Sequence, residues 1–128
     1  MRLLLDTHTF LWFITDDPKL SVTAETALRA EANSAFLSIA SVWEIAIKVS
    51  QGRLPLPRPL HDLIPQQLEA NSITLLPIEP QHTFEVARLP FHHRDPFDRL
   101  LIAQAMVEQI PIVSADGAFD AYGVTRVW

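Results

Sequence analysis

The segment Arg2-Leu3-Leu4-Leu5-Asp6, at the start of the chain, decides the fold. Three consecutive leucines are typical of a strand that is buried on both faces of a parallel sheet. An aspartate closes this apolar run, and helix-like sequence follows from residue 7 to about residue 14. A strand that leads directly into a helix is the first half of a βαβ unit, so this segment predicts an α/β protein with a parallel sheet.

The same alternation of strand-like and helix-like sequence continues to the end of the chain. Further strands are predicted at 35–39, 73–78, 110–114 and 124–128. Helices are predicted at 21–32, 40–51, 60–70, 80–88 and 95–109, with a short helical turn at 116–122. The proline-rich connector 54–59 is rigid but too short to separate two domains. We therefore expect residues 1–128 to form a single domain whose sheet is covered by helices on both faces.

Composition agrees with one intracellular domain. The chain has 128 residues, of which 48% are hydrophobic, and this is enough to bury a substantial core. The absence of cysteine excludes disulfides and thiolate metal sites, and it fits a reducing cytoplasm. Asp6 interrupts the first apolar run too early for a signal peptide, and no segment approaches the length of a membrane span. We expect a cytoplasmic protein without membrane association.

The net charge of −5 argues against broad, nonspecific binding of nucleic acid. Two bound divalent cations would neutralise four of these five charges. The basic residues also form two groups in the sequence. The first contains Lys48, Arg53 and Arg58, and the second contains Arg88, His92, His93, Arg94 and Arg99. A basic rim around an acidic, metal-filled pit is therefore compatible with the composition.

Four acidic residues occupy positions that suit a metal centre. Asp6 and Asp116 follow predicted strands, whereas Glu44 and Asp98 lie in predicted helices. Ligands of open parallel α/β sheets bind at the carboxyl ends of the strands, where such residues would gather. Without cysteine, four carboxylates favour a hard divalent cation such as Mg²⁺ or Mn²⁺. We predict that all four are catalytic and bind the metal, with Asp6 and Asp98 as the strongest ligands and with Glu44 and Asp116 binding directly or through water.

Each acid also has a structural alternative, and for Asp6 and Asp116 it is strong. An aspartate between a strand and a helix is a favoured N-cap, because its side chain accepts a hydrogen bond from a backbone amide one turn later. Glu44 can form an i,i+4 ion pair with Lys48. That pair does not explain why a carboxylate lies in so apolar a helix, where burial is costly, so a functional role is favoured for Glu44.

The sequence Asp95-Pro96-Phe97-Asp98 is typical of a helix start. Asp95 would be the N-cap and Pro96 the first helical residue. Asp98 would stand in the reciprocal position of a capping box, where glutamate or glutamine is usual. We predict that Asp95 caps the helix and that Asp98 binds metal.

Other side chains near the four acids are candidates for supporting roles. Three small hydroxyl residues would orient metal-bound water or simply cap helices: Thr7, Ser41 and Ser114. Three basic residues would contact phosphate or fix the carboxylates: Lys48, Arg94 and Arg99. His92 and His93 are candidates for metal ligands or proton donors, but they lie in a predicted loop, where ordinary exposed histidines are the favoured interpretation. The remaining prominent side chains are expected to belong to the core rather than to stack on bases: Trp12, Trp43 and Phe97.

Taken in order, these motifs make the chain resemble the PIN domain, and in particular the VapC-type ribonuclease toxins. The resemblance rests on residues 3–8, 41–48, 52–54, 93–99, 102–105, 114–116, 119, 122–124 and 128, and it therefore runs nearly from end to end. It implies a three-layer α/β/α sandwich with a central, mainly parallel sheet of four to five strands. Asp6, Glu44, Asp98 and Asp116 correspond to the acidic quartet of that family.

The resemblance also implies an activity and partners. Members of this group are metal-dependent endoribonucleases that leave a 5′-phosphate and a 3′-hydroxyl. The metal, Mg²⁺ or Mn²⁺, makes hydroxide available near neutral pH by lowering the pKa of a bound water. Such toxins form homodimers and are silenced by a VapB-type antitoxin whose C-terminal segment covers the active site.

Two alternative functions remain open. One is an enzyme with a different chemistry, and the other is not an enzyme. A haloacid-dehalogenase-like phosphatase also begins with an aspartate after an apolar strand, but it normally needs a second aspartate two residues later, where this chain has His8. A non-catalytic α/β interaction module would use the acids only as caps, and it leaves Glu44 unexplained.

Overall fold

Five parallel strands form the central sheet, in the order β3-β2-β1-β4-β5. The computed structural model describes residues 1–128. The strands are β1 (Arg2–Leu5), β2 (Ser34–Ser38), β3 (Ile73–Leu76), β4 (Ile112–Val113) and β5 (Arg126–Val127). The three leucines of β1 are fully buried at the centre of the sheet. The predicted α/β fold with a parallel five-stranded sheet is therefore confirmed.

Helices cover both faces of this sheet. They are α1 (Thr7–Ile14), α2 (Val22–Arg29), α3 (Ile39–Ser50), α4 (Leu60–Ala70), α5 (Pro80–Arg88) and α6 (Pro96–Glu108), followed by a 3₁₀ helix at Gly117–Tyr122. Alternate side chains of β1 belong to different cores. Leu3 and Leu5 pack with Phe10 on one face, whereas Leu4 packs with Leu101 on the other. None of the helices combines the length and the apolar character needed to cross a membrane.

The strands near the C-terminus are shorter than predicted. The segment 110–114 contributes only the two residues of β4, and 124–128 only the two residues of β5. The reason is local, because the amide of Ile110 bonds back to the carbonyl of Ala105 at the end of α6. Pro111 has no amide proton to donate to a neighbouring strand. Pro111 pairs with β1 only through its carbonyl, which accepts a hydrogen bond from the Leu4 amide, and β4 itself begins at Ile112.

The order of the strands reverses beside β1, and this places the candidate site. The chain passes from β1 to β2 and β3 on one side and later adds β4 and β5 on the other side. In open α/β sheets, ligands bind at such a switch point, outside the carboxyl ends of the strands. Asp6 directly follows β1, and Ser114 directly follows β4. Both residues therefore lie at the switch point.

The prediction that Trp43 belongs to the core is wrong. Its side chain is 58% exposed, because the buried face of α3 is formed by other residues, Glu44 and Ile45 among them. Trp43 contacts Phe97 edge-on, with ring centroids 5.1 Å apart. Phe97 and Trp12 are partly buried. Trp43 therefore lies on the surface, in contact with the first turn of α6.

Candidate metal centre

Asp6 is both a helix cap and a buried carboxylate. Its Oδ1 accepts a 2.7 Å hydrogen bond from the Thr9 amide at the start of α1, as the capping interpretation predicted. Its Oδ2 accepts a 2.5 Å hydrogen bond from the hydroxyl of Ser114. The residue is only 6% exposed. Capping therefore accounts for one oxygen, and the other is held at the carboxyl end of β4.

Glu44 is buried on α3, and its two oxygens have different partners. The hydroxyl of Thr7 donates to Oε1 at 2.7 Å, and Lys48 Nζ lies 3.1 Å from Oε2. Thr7 Oγ1 is also 2.9 Å from Ser41 Oγ. The i,i+4 pair with Lys48 is thus present. Thr7 and Ser41 lie beside this acid, where they were expected.

Asp98 lies in the first turn of α6, beneath its N-cap. The cap is Asp95, as predicted, and its Oδ1 accepts hydrogen bonds from the amides of Phe97 and Asp98 at 2.9 and 3.0 Å. Burial, together with the negative charges of Asp95, Asp6 and Glu44, raises the pKa of Asp98 to about 7 despite the opposing effect of His93. The neutral form of this carboxyl group is therefore favoured mainly by burial and, in addition, by three neighbouring carboxylates.

Asp116 caps the 3₁₀ helix and is the most exposed of the four acids. Its Oδ1 accepts a 2.9 Å hydrogen bond from the amide of Ala118. Its Oδ2 lies 3.2 Å from His93 Nε2, which is also 3.1 Å from Asp98 Oδ2. One potential ligand atom from each of His93, Asp98 and Asp116 lies within 4.8 Å of the others. The structure therefore gathers these three side chains into one cluster.

His93 is the residue of this cluster that the sequence analysis missed. It was interpreted as an ordinary loop histidine, yet its side chain is only 16% exposed and bridges two carboxylates. One signal was available, since His93 lies two residues before the capping Asp95. A chain that turns into a helix cap brings such a residue alongside the first helical turn.

Arg99 does not have either of its two predicted roles. Its buried guanidinium contacts no carboxylate and instead donates to four backbone carbonyls, those of Val86, Leu89, Pro90 and His93. The ring of Phe91 stacks on it, with the centroid 4.1 Å from Cζ. Arg99 therefore holds the loop that carries His93. Arg94, by contrast, is exposed.

Two neighbouring cavities open beside the acids. The first, of about 340 Å³, is lined by Glu44 and Asp98 among others. The second, of about 640 Å³, runs between α1 and the segment 54–58. Three basic side chains line both cavities: His8, Lys48 and Arg53. The acidic pocket therefore continues into a groove that carries these basic side chains among mainly apolar ones and Asp17.

These side chains fit a hard divalent cation. Burial is the largest cause of the raised pKa of Asp98, and the negative charges of Asp95, Asp6 and Glu44 add repulsion to it. A cation bound among them would relieve this repulsion. Since the acidic donors are all carboxylate oxygens, the set suits Mg²⁺ or Mn²⁺.

The fold and the site define a class: a parallel α/β protein with acidic side chains gathered at the switch point of its sheet. Residues 3–124 match the family model of the PIN domain. The chain belongs to the PIN domain family.

Individual relatives agree with this assignment. Ribonuclease VapC16 of Mycobacterium tuberculosis (strain ATCC 25618 / H37Rv) is 36% identical over 70 residues, which are 52% of this chain and 50% of that protein. The aligned part of the chain thus spans about half the length of that relative.

Among solved structures, VapBC2 from Rickettsia felis, bound to a DNA fragment from their promoter, aligns with a TM-score of 0.73 and 16% identity, covering 98% of this chain and 97% of that one. VapBC-1 from nontypeable Haemophilus influenzae aligns with a TM-score of 0.67 and 14% identity, covering 98% and 96%. At these identities the structural matches establish the fold.

Proposed function

We propose that this protein is a metal-dependent endoribonuclease of the VapC type, with Asp6, Glu44, Asp98 and Asp116 as its metal-binding and catalytic residues. The observation that carries the proposal is geometric: in a PIN domain, Asp6 and Glu44 are buried beside the switch point of the sheet, and Asp98 and Asp116 meet at His93. An acid that is only a helix cap does not need three other carboxylates nearby. Part of the chain also resembles a protein named as a ribonuclease.

The proposed metal is Mg²⁺ or Mn²⁺. Bound among the carboxylates, it would activate water for attack on the phosphodiester bond and stabilise the negative charge that develops on the phosphate. The side chains around it fix the carboxylates. Ser114 holds one oxygen of Asp6, while Thr7 and Lys48 each hold one oxygen of Glu44. Such partners of ligands keep a metal site in a defined geometry.

The groove beside the acids supports a nucleic-acid substrate. Lys48 and Arg53 line both the acidic pocket and the groove, and Arg58 adds a further positive charge to the groove. Cations beside a scissile phosphate neutralise the backbone charge without reading the sequence. A single RNA strand lying in the groove would place one phosphate at the acids and its neighbours along these basic side chains.

The proposal includes partners. The two solved relatives described above are VapBC assemblies, and this supports a VapB-type antitoxin as the inhibitor of this chain. A homodimer is also expected, and the exposed Ile39 and Trp43 on α3 provide apolar surface that it would cover. The proposed place of action is the cytoplasm, where RNA is available.

The decisive experiment is RNA cleavage by purified protein with Mg²⁺ or Mn²⁺, with EDTA, and with Asp98→Asn. Asp62→Asn is a matched control, because Asp62 occupies the corresponding position in the first turn of α4 and contacts only His61. We expect cleavage that requires metal, is lost in Asp98→Asn and persists in Asp62→Asn. Cleavage that EDTA and Asp98→Asn both leave intact would contradict the proposal.

A non-catalytic interaction module remains the alternative, because Asp6, Asp95 and Asp116 all make capping bonds. It predicts that Asp6→Ala lowers the free energy of unfolding by about 1 kcal/mol and changes no activity. The nuclease proposal predicts that the same change abolishes cleavage in a protein that still folds.

A further inference from the structure

His93 is held from several directions in the loop 89–95. Its amide donates a 2.8 Å hydrogen bond to the hydroxyl oxygen of Tyr122, which in turn donates to the carbonyl of Pro90 at 2.7 Å. Its carbonyl accepts a 3.4 Å hydrogen bond from Arg99. Its ring packs against Phe119, with centroids 5.8 Å apart. Contacts from two distant segments therefore fix both the backbone and the ring.

The surroundings of Nδ1 determine where the ring carries its proton. The amide of Asp95 points at Nδ1 and donates to it at 3.2 Å. A nitrogen that accepts a hydrogen bond carries a lone pair, so a neutral imidazole in this position must carry its proton on Nε2. Nε2 is the atom that lies 3.1 Å from Asp98 and 3.2 Å from Asp116. Its hydrogen therefore points at the two carboxylates.

A metal ligand would need the opposite arrangement. A histidine that binds a metal through Nε2 has its proton on Nδ1 and donates it to a carbonyl or carboxylate. Here Nδ1 is opposite a backbone N–H group, which cannot accept a hydrogen bond. The tautomer required for ligation would bring two N–H groups face to face.

We propose that His93 is a positioning residue that presents an Nε2–H donor to Asp98 and Asp116, and that it is not a ligand. This inference rests on the proposed metal centre and adds to it. The histidine links the first turn of α6 to the 3₁₀ helix by holding one carboxylate from each. The protein ligands of the metal are then carboxylate oxygens only, which favours Mg²⁺ and Mn²⁺ over Zn²⁺.

The tautomer can be measured directly by ¹⁵N–¹H correlation NMR of protein with ¹⁵N-labelled histidine. The chain has five histidines, and the signals of His93 are identified by their loss in His93→Gln. We expect a proton on Nε2 in the metal-free protein and again after addition of Mg²⁺. An unprotonated Nε2 in either state would overturn the proposal. The metal-free spectrum decides the tautomer even if no RNA is ever cleaved.

The positioning role is tested by Mn²⁺ binding, measured by calorimetry, in two variants. His93→Leu removes the donor, whereas His93→Gln can place an amide N–H near the position of Nε2. We expect affinity to fall roughly 10- to 100-fold in His93→Leu, the usual effect of losing a hydrogen-bond partner of a ligand, and to recover in part in His93→Gln. His61→Leu, at an exposed histidine on α4 outside the cluster, should bind Mn²⁺ like the parent protein.

Two results would count against this role. Equal affinity in His93→Leu and the parent protein would show that the donor does not matter. Equal losses in the leucine and glutamine variants, with unchanged thermal unfolding, would point to ligation or bulk rather than to donation. Neither measurement uses RNA, so a failure of the proposed ribonuclease activity is distinguished from a failure of this inference.

Discussion

Ser114 Oγ donates a 2.5 Å hydrogen bond to Asp6 Oδ2, and this contact joins the carboxyl ends of the adjacent strands β4 and β1. Both side chains are buried. We predict that Ser114→Ala weakens Mn²⁺ binding about 10- to 100-fold, because Asp6 loses the partner that orients it. The same change should lower the free energy of unfolding by about 1 kcal/mol. Calorimetric titration and urea unfolding measure the two effects.

Thr9→Val is the matched control for this prediction. The hydroxyl of Thr9 is equally buried and donates to the carbonyl of Val113 at 2.8 Å, but it contacts no carboxylate. Thr9→Val should therefore lower the free energy of unfolding by a similar amount and leave Mn²⁺ affinity unchanged. If both variants lose affinity equally, the effect of Ser114 is one of general packing and not of orienting Asp6.

Asp98 makes the stability of the metal-free protein depend on pH. Its pKa rises from 3.8 to about 7 on folding, mainly because of burial. Between these values the folded state binds more protons than the unfolded chain, so this group makes stability fall as pH rises from about 4 to 7. The loss is on the order of a few kcal/mol.

Asp98→Asn tests whether the carboxyl group of Asp98 makes stability fall as pH rises. We expect the variant to be more stable than the parent protein at pH 8 in EDTA, with the difference shrinking as the pH approaches 4. Urea unfolding across this range measures it. A stability difference that does not vary with pH would show that the carboxyl group titrates normally. Asp62→Asn serves again as the control, because Asp62 is 60% exposed and far from the cluster in sequence.

Local sequence signals predicted most of the fold. The helices at 60–70 and 80–88 have the predicted bounds, and Asp95 caps α6 as expected. These features depend on residues within one helical turn. The strand at 110–114 was predicted too long, because the end of α6 withdraws Ile110 from the ladder, and the segment 124–128 contributes only Arg126 and Val127.

The contact between Asp6 and Ser114 has a different origin. In a parallel sheet, residues that follow strands meet at one edge whatever their separation in sequence. The roles of His93 and Arg99 were not predictable in this way. His93 depends on Tyr122, 29 residues later in the chain. Arg99 is buried under a loop and donates to the backbone carbonyls of that loop. In the sequence, an arginine at this position indicated only a contact with phosphate or with the carboxylates.

Arg99 is therefore expected to act on stability. Arg99→Lys should lower the free energy of unfolding by roughly 2–4 kcal/mol, because an ammonium cannot reach four carbonyls that a planar guanidinium satisfies together. Thermal and urea unfolding check this. Arg94→Ala is the control: the side chain is exposed, and its loss should leave stability unchanged. A stable Arg99→Lys protein that binds RNA weakly would restore the original phosphate-contact hypothesis.

The basic side chains of the groove predict how RNA affinity responds to salt. Arg53 and Arg58 line the groove and have no carboxylate partner, so each is available to a phosphate. The test uses an Asp98→Asn background, which is expected to bind RNA without cutting it. Removing either arginine there should weaken binding and reduce the slope of log K against log salt by about 0.7 per lost contact.

Arg88→Ala is the matched control, because Arg88 is 80% exposed on α5 and does not line the groove. Fluorescence anisotropy of a labelled single-stranded RNA across a salt series gives these slopes. If Arg88→Ala lowers the slope as much as Arg53→Ala and Arg58→Ala do, the RNA does not follow the groove, and its path lies elsewhere on the surface.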